Sequence, residues 1–299
     1  MTGGKAKDEA KMAHETQDGL VAANQLDEEQ RRAALALAET CNRLEGLTLK
    51  LNVSRDPEGM PANKWLYYDQ GALVGYAALD GGSPEAELCG MVAPSHRRKG
   101  IGRALLNAVT DACRRASVYR LLLICEDAST SGRGFVRAID AAHSFSELHM
   151  EMDAPSAAGN SRSDVLVRDV APADYDALAE ALVSAFGGSY DYTRARIEAE
   201  TGEADGRYLV GEVNGRLVGG LKLYEHDGRA GVYAFGVSQD ERGKGYGRAI
   251  LQQTMEMARA NGYPRIYLEV DDDNTVARRL YESSGFQTTT TYGYYVVPL

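Results

Sequence analysis

Two glycine turns set 145 positions apart constrain this chain more than any other feature of its sequence. Residues 91–103 read MVAPSHRRKGIGR and residues 235–248 read FGVSQDERGKGYGR, so Arg97-x-x-Gly100-x-Gly102 recurs as Arg242-x-x-Gly245-x-Gly247. Each turn follows an apolar run of strand type that closes at Val92 or Val237. Each precedes a stripe at helical spacing, formed by Leu105, Leu106, Val109 and Cys113 in the first copy and Ile250, Leu251, Met255 and Ala258 in the second. The pattern is strand, glycine turn, helix, made twice.

A helix start of this kind leaves backbone N–H groups without intrahelical acceptors at the positive end of the dipole, which suits a phosphate. Glycine lets the backbone approach such a group unobstructed. Cations surround both turns: Arg97, Arg98, Lys99 and Arg103 in the first, Arg242, Lys244 and Arg248 in the second. Neither turn continues into Gly-Lys-Ser/Thr, and the third glycine of the dinucleotide fingerprint is absent. A single copy reads equally well as a tight strand-to-helix turn; two copies a domain length apart favour a site.

At these residues the chain resembles the GNAT superfamily of N-acetyltransferases, whose pyrophosphate loop has the form Arg/Gln-x-x-Gly-x-Gly/Ala. Asn274, Ala277, Leu280, Tyr281, Gly285 and Phe286 also fit that family's later element, Asn-x-x-Ala-x-x-Leu-Tyr-x-x-x-Gly-Phe. The resemblance covers all but an N-terminal tail and a linker. It implies an α/β fold of two tandem GNAT-type sandwiches with mixed central sheets, and acetyl-CoA as acyl donor with no metal. It also implies that Phe235, Gly236 and Val237 meet the pantetheine arm through the backbone and that Arg242, Gly243, Lys244, Gly245, Tyr246, Gly247 and Arg248 hold the pyrophosphate. Asn274 would bind the cofactor's amide or the helix start. The matching stretch of the first copy is Met91, Val92, Arg97, Arg98, Lys99, Gly100, Ile101, Gly102 and Arg103.

A length of 299 residues suits two domains of ordinary size. The expected division is a polar tail over 1–25, a degenerate first domain over 26–153, a linker over 154–163 reading DAPSAAGNSRS with its flanks, and a catalytic domain over 164–299. No apolar run is long enough to cross a bilayer, and the charged N-terminus has no signal core. Cys41, Cys89, Cys113 and Cys125 show neither close pairing nor metal-ligand spacing, which predicts reduced, buried thiols in a cytoplasmic protein. A net charge of −10 argues against nucleic acid and mildly favours a cationic substrate, although an acidic surface also serves solubility alone. The basic cluster at His96, Arg97, Arg98 and Lys99 is accounted for by the phosphate turn.

In chain order, the pattern predicts a helix from Asp27 ended by Gly46, strands over 65–68, 73–79 and 87–92, then the first turn and its helix. A buried strand over 119–125, a short helix over 135–139 and a strand over 145–152 follow. The second half repeats this with a strand at 165–167, a helix from Pro172, a hairpin through Asn214-Gly215, and a strand over 232–237. After the second turn come a strand over 265–270, a helix over 275–283 and a strand over 289–297. The tail reads as mobile, with a short helix from Asp8 as the other option. Tyr292, Tyr294 and Tyr295 read as strand formers before acceptor-pocket residues.

Residue types at equivalent positions separate the copies. A departing thiolate needs a proton, and a phenol supplies one; the family commonly uses a tyrosine where Tyr281 stands. Val136 occupies the equivalent position of the first copy and Ser129 that of Asn274, so the second copy is expected to be the catalytic one. The family's usual base, a glutamate on the strand before the loop, is missing, since that strand offers Gly231 and Tyr233. Glu225 is the first candidate to replace it, with His226 and Glu269 behind, each also readable as a solvated or edge residue. The order resembles that of tandem GNAT chains such as mycothiol synthase, but that pattern has the acidic residue absent here, and no acceptor is assigned. The expected activity is acetyl transfer to a primary amine of a small molecule or protein by direct attack. The alternative is an acyl-CoA-binding scaffold without turnover, and the expected assembly is a monomer or weak homodimer without nucleic acid or membrane.

Overall fold

The computed structural model describes residues 18–51, 53, 62–153, 164–202, 206–226 and 228–299. Its elements are β1 (Gly19–Ala23), α1 (Glu28–Glu45), β2 (Lys64–Asp69), β3 (Ala72–Gly81), β4 (Glu85–Val92), α2 (Ile101–Arg115), β5 (Arg120–Glu126), α3 (Thr130–Ala138) and β6 (Ala142–Asp153). They continue with β7 (Leu166–Asp169), α4 (Tyr175–Phe186), α5 (Tyr190–Glu200), β8 (Gly206–Val213), β9 (Arg216–His226), β10 (Arg229–Val237), α6 (Tyr246–Ala260), β11 (Arg265–Asp271), α7 (Thr275–Ser283) and β12 (Gln287–Val297). Among the described residues no helix is long and apolar enough to cross a membrane. The expected linker and the option of a helix from Asp8 lie outside the described residues.

Local chemistry explains the helix ends. Asp27 accepts from Gln30 N at 2.8 Å while Gln30 Oε1 accepts from Asp27 N at 3.1 Å, a reciprocal capping box that starts α1. Gly46 at φ 67° closes it. Losing the Asp27 side chain would cost about 1 kcal/mol.

The chain divides into two compact units. One comprises the described residues up to Phe145 together with Tyr292–Leu299; the other is Ser146–Thr291. In the first, β1, β2, β3 and β4 run antiparallel in that order, β5 joins β4 in parallel, and Tyr292–Val297 of β12 pairs antiparallel with β5. In the second, β7, β8, β9 and β10 are antiparallel, β11 joins β10 in parallel, and Glu147–Asp153 of β6 pairs antiparallel with β11. Each unit is therefore closed by a strand from the other half of the sequence. This differs from the division at 154–163, because pairing, and not chain order, defines a compact unit.

Alternating side chains cover both faces of each sheet. In the first unit Leu105, Val109, Leu121 and Val136 form a core under α2 and α3, and Leu37, Cys41, Leu66 and Tyr76 form one under α1. In the second, Ile250, Leu251, Ile266, Leu268 and Tyr281 lie under α6 and α7, with Leu178, Leu182, Ile197 and Val210 under α4 and α5. Tyr292 and Tyr294 are buried beside Leu122 as strand residues.

Candidate active site

The two turns share one backbone geometry. Gly100 and Gly245 precede α2 and α6 at φ 87° and 83°, values open to glycine without steric cost. Two residues earlier Gly243 has φ 74°, whereas Arg98 is held at 65° at a cost of about 1–2 kcal/mol. The fold imposes that shape on the first turn against the residue's own preference. The first intrahelical bonds run from Ala104 N to Gly100 O at 3.0 Å and from Ala249 N to Gly245 O at 3.2 Å. The amides before them point out of the helix start, so each turn fits a phosphate.

The arginine that opens each motif shapes the loop. Arg97 Nε donates to Val92 O at 3.1 Å and Arg242 Nε to Val237 O at 3.0 Å, tying each turn back to its strand. Arg97 Nη1 also donates to Glu45, and Arg242 Nη2 donates to Ser184 O at 3.1 Å. Further on, Arg103 Nη2 donates to Ala138 O at 3.0 Å and Arg248 Nη1 to Ser283 O at 3.1 Å, clasping the loop helix to the next helix. Lys244 Nζ lies 2.9 Å from Glu241 Oε2. These cations, expected on the pyrophosphate, face carbonyls and a carboxylate, because a tight turn must first satisfy its own exposed acceptors. Amides are left as the principal anion donors.

Asn274 and Ser129 have the same structural task. Asn274 Oδ1 accepts from Ala277 N at 3.1 Å and Ser129 Oγ from Gly132 N at 2.9 Å, so both are N-caps. The residue change that suggested a lost element in the first copy leaves the cap intact.

Short of each turn the parallel strands part. Pairing of β4 with β5 ends at Leu88 and Leu123, and that of β10 with β11 at Val232 and Leu268. In the first unit this fork opens into a groove of about 670 Å³ lined by Met91, Gly100, Gly102, Ile124 and Phe135 among others, within the size range of small-molecule sites. Glu45 at the end of α1 braces two of the groove's lining residues, Ser131 and Arg97. It accepts from Ser131 N at 3.1 Å and Ser131 Oγ at 2.7 Å and receives Arg97. Burial pulls its carboxyl upward, but the Ser131 hydroxyl and amide and the Arg97 guanidinium outweigh this and hold it at about 2. No local sequence signal marks Glu45, whose partners are all distant in the chain. Cys125 also lines the groove, and burial pushes its thiol up to about 11, which rules it out as a nucleophile near neutral pH. All four cysteines are free and buried.

Tyr281 lies on α7 between Phe235 and Phe286, with ring centroids 6.5 and 5.9 Å away. Burial pushes its phenol up to about 12, so it stays protonated through the working pH range. Val136, its counterpart, is buried and has nothing to donate. The two forks also differ in backbone. β4 pairs with β3 in unbroken register, whereas β10 has a bulge against β9 between Tyr233 and Gly236, with Ala234 at φ 46°. A bulge re-aims the side chains beyond it, here turning Phe235 and Val237 toward the core that holds Tyr281.

Glu225 is not at the fork. In antiparallel register it faces Ala230 at the start of β10, while Val237, beside the turn, faces Gly219. There Glu225 Oε1 accepts from Asn261 at 2.9 Å and Oε2 lies 3.5 Å from Arg207, a bracing role at the opposite end of the strand. The side chain of His226 lies outside the described residues. Glu269 follows the last residue of β11 that pairs with β10 and stands at the fork. Among the described residues no group of three or more His, Cys, Asp or Glu is placed to hold a metal ion.

A model of the Acetyltransferase (GNAT) family matches residues 24–138 and again 175–286. The chain belongs to the GNAT acetyltransferase family. Both matches stop before the strands that the units exchange. Among relatives, a mycothiol acetyltransferase of Acidothermus cellulolyticus is 30% identical over 273 residues, covering 81% of each chain. One from Kineococcus radiotolerans is 32% identical over 285 residues, covering 87% of this chain and 90% of its own. A GCN5-related N-acetyltransferase from Sphaerobacter thermophilus superposes with a TM-score of 0.77 at 18% identity, covering 95% of this chain and 97% of its own. A tandem GNAT protein from the clavulanic acid biosynthesis pathway gives 0.72 at 16% identity, covering 93% and 97%. This tandem GNAT protein is an acetyl-CoA-dependent N-acetyltransferase, and the comparisons give no support to the scaffold alternative.

Proposed function

We propose that the second unit transfers the acetyl group of acetyl-CoA to a primary amine by direct attack, and that the first unit holds a CoA thioester without turning it over. The observation that carries this is the contrast between Tyr281 and Val136 behind two turns of equal shape. In the second unit the amides of the turn 243–248 hold the pyrophosphate, braced by Arg242 and Arg248, and the backbone of Phe235, Gly236 and Val237 receives the pantetheine arm. Tyr281 gives its proton to the departing sulphur. The burial that raises this phenol would raise a thiolate beside it too, which keeps donor and acceptor matched. In the first unit the groove offers the same grip with Phe135 and Val136 where a donor would stand.

Similarity to mycothiol acetyltransferases over most of the chain makes the amine that those enzymes acetylate the first acceptor to test. The glycine at position 231 makes a different small amine the second. The test is thiol release from acetyl-CoA across a panel of amines that includes the desacetyl precursor of mycothiol. Wild type should turn over at least one amine, and Tyr281→Phe should reduce kcat by about 100-fold or more with the KM for acetyl-CoA little changed. Binding of acetyl-CoA without turnover of any amine would overturn the proposal.

A further inference from the structure

Alternation along three neighbouring strands leaves one sheet face of the second unit polar. Leu148, Met150, Ile266, Leu268, Ala230 and Val232 point into the core under α6 and α7, so His149, Glu151, Tyr267, Glu269, Gly231 and Tyr233 are on the other face. Register sets His149 opposite Glu269 and Glu151 opposite Tyr267. His149 Nδ1 lies 3.4 Å from Glu269 Oε1 and Nε2 lies 3.1 Å from Glu151 Oε1, and Glu151 also pairs with Arg229. The imidazole stacks on Tyr267 at 5.4 Å and is only 11% exposed, which fixes its orientation. Carboxylates thus meet both ring nitrogens.

The strand that would ordinarily present a base cannot do so here. A Cβ on Gly231 would lie 2.6 Å from the rings of both Tyr233 and Tyr267 and 2.7 Å from the Tyr267 hydroxyl. The two phenols are joined by a hydrogen bond of 3.1 Å and fill that space. Glu269, the first residue of β11 beyond its pairing with β10, is the carboxylate of this face that comes first at the fork.

We infer that Glu269 accepts the proton of the acceptor's ammonium and that His149 passes it to Glu151, at the partly exposed Arg229 end of the row. This rests on the reading that the second unit is the catalytic one. The balance closes as follows: the ammonium nitrogen gives one proton to Glu269, the free amine forms the C–N bond, the C–S bond breaks, and the sulphur takes the Tyr281 proton. The second proton shed by nitrogen restores Tyr281, and the first leaves through His149 and Glu151 to water. His149 is a positioning and relay residue; Glu269 is the group that touches substrate. The other titratable or charged groups facing this side are Arg229 and Tyr233 of β10, Tyr224 and Lys222 of β9, Tyr208 of β8, and Tyr267 and Arg265 of β11, with Asp153, Glu147 and Asp271 at further same-face positions of β6 and β11 and Glu200 of α5 paired with Lys222.

The experiment compares pH profiles of kcat/KM for wild type, Glu269→Gln, His149→Gln and Tyr281→Phe, with an alkyl amine and with a low-pKa amine as acceptors. Glu269→Gln should lose about 100-fold near neutral pH with the alkyl amine, recover as pH approaches the amine's own pKa, and lose little with the low-pKa amine. His149→Gln should show a smaller loss, about 10-fold, on the acidic limb, with the KM for acetyl-CoA unchanged. A uniform loss for Glu269→Gln at every pH and with both amines would overturn the inference. If Tyr281→Phe leaves the rate untouched as well, the failure belongs to the assignment of the catalytic unit instead.

Discussion

The two halves keep each other's scaffolding and differ in chemistry. At 145-residue displacement both have the arginine that returns to the strand carbonyl, the arginine that clasps the following helix, and the N-cap that starts that helix. They part at Tyr281 against Val136, at the bulge around Ala234 against an unbroken β4, and at Gly243 against Arg98. The shared contacts are those that shape a phosphate turn; the differences lie where an acyl group would react. A domain can lose its reaction and keep its grip because different atoms serve the two tasks.

The largest test of this contrast is kinetic. Tyr281→Phe should remove about two orders of magnitude or more of kcat, while Val136→Ala should leave it unchanged in the same thiol-release assay. Equal losses would break the comparison. Next in size is ligand stoichiometry. Glutamate at Gly100 or Gly245 would place an anion in the turn at a φ of 87° or 83°, and strain plus repulsion should weaken acetyl-CoA at that unit by about 100-fold. Isothermal titration should then count one site in place of two for either variant, with turnover surviving only in Gly100→Glu.

The pH response should also divide the halves. Glu45 is held at about 2 by Ser131 and Arg97 against the pull of burial, so its contribution to the first unit is fully present above the ordinary carboxylate range and disappears as pH falls toward 2. Tyr281, raised to about 12 by burial, contributes fully below pH 10 and loses that contribution between 10 and 12. Hydrogen exchange followed unit by unit should show acid weakening around α3 that Glu45→Gln abolishes, and alkaline weakening around α7 that Tyr281→Phe abolishes. The smallest effect belongs to Arg98→Gly, which relieves a left-handed non-glycine residue and should raise the first unit's stability by up to about 1 kcal/mol in denaturant unfolding.

Strongly periodic stretches were legible in the sequence, and the glycine turns, the helix from Asp27 with its Gly46 stop and the helix of Tyr281 stand where their patterns predict. What escaped had a physical reason in each case. β1 is five residues of ordinary apolar character next to a polar tail, and its strand identity comes from pairing with β2. α5 has almost no amphipathic pattern, since Ile197 alone of its residues is buried. The loop arginines Arg97, Arg103, Arg242 and Arg248 were read by charge, yet each donates to a backbone carbonyl, which sequence cannot display. Glu225 was a candidate as an acidic residue at the end of the strand before β10, and antiparallel register puts that end of the strand away from the turn. The exchange of closing strands was invisible because a period-two pattern names a buried face and no partner.

That exchange has a consequence for dissecting the molecule. Cutting between positions 153 and 164 would give two fragments, each lacking residues its own unit needs at β5 or β11 and each ending in a strand suited to the other. Neither piece would be a domain in the genetic sense. Mixed together they would be expected to complement like a split reporter, each supplying the strand the other's sheet lacks.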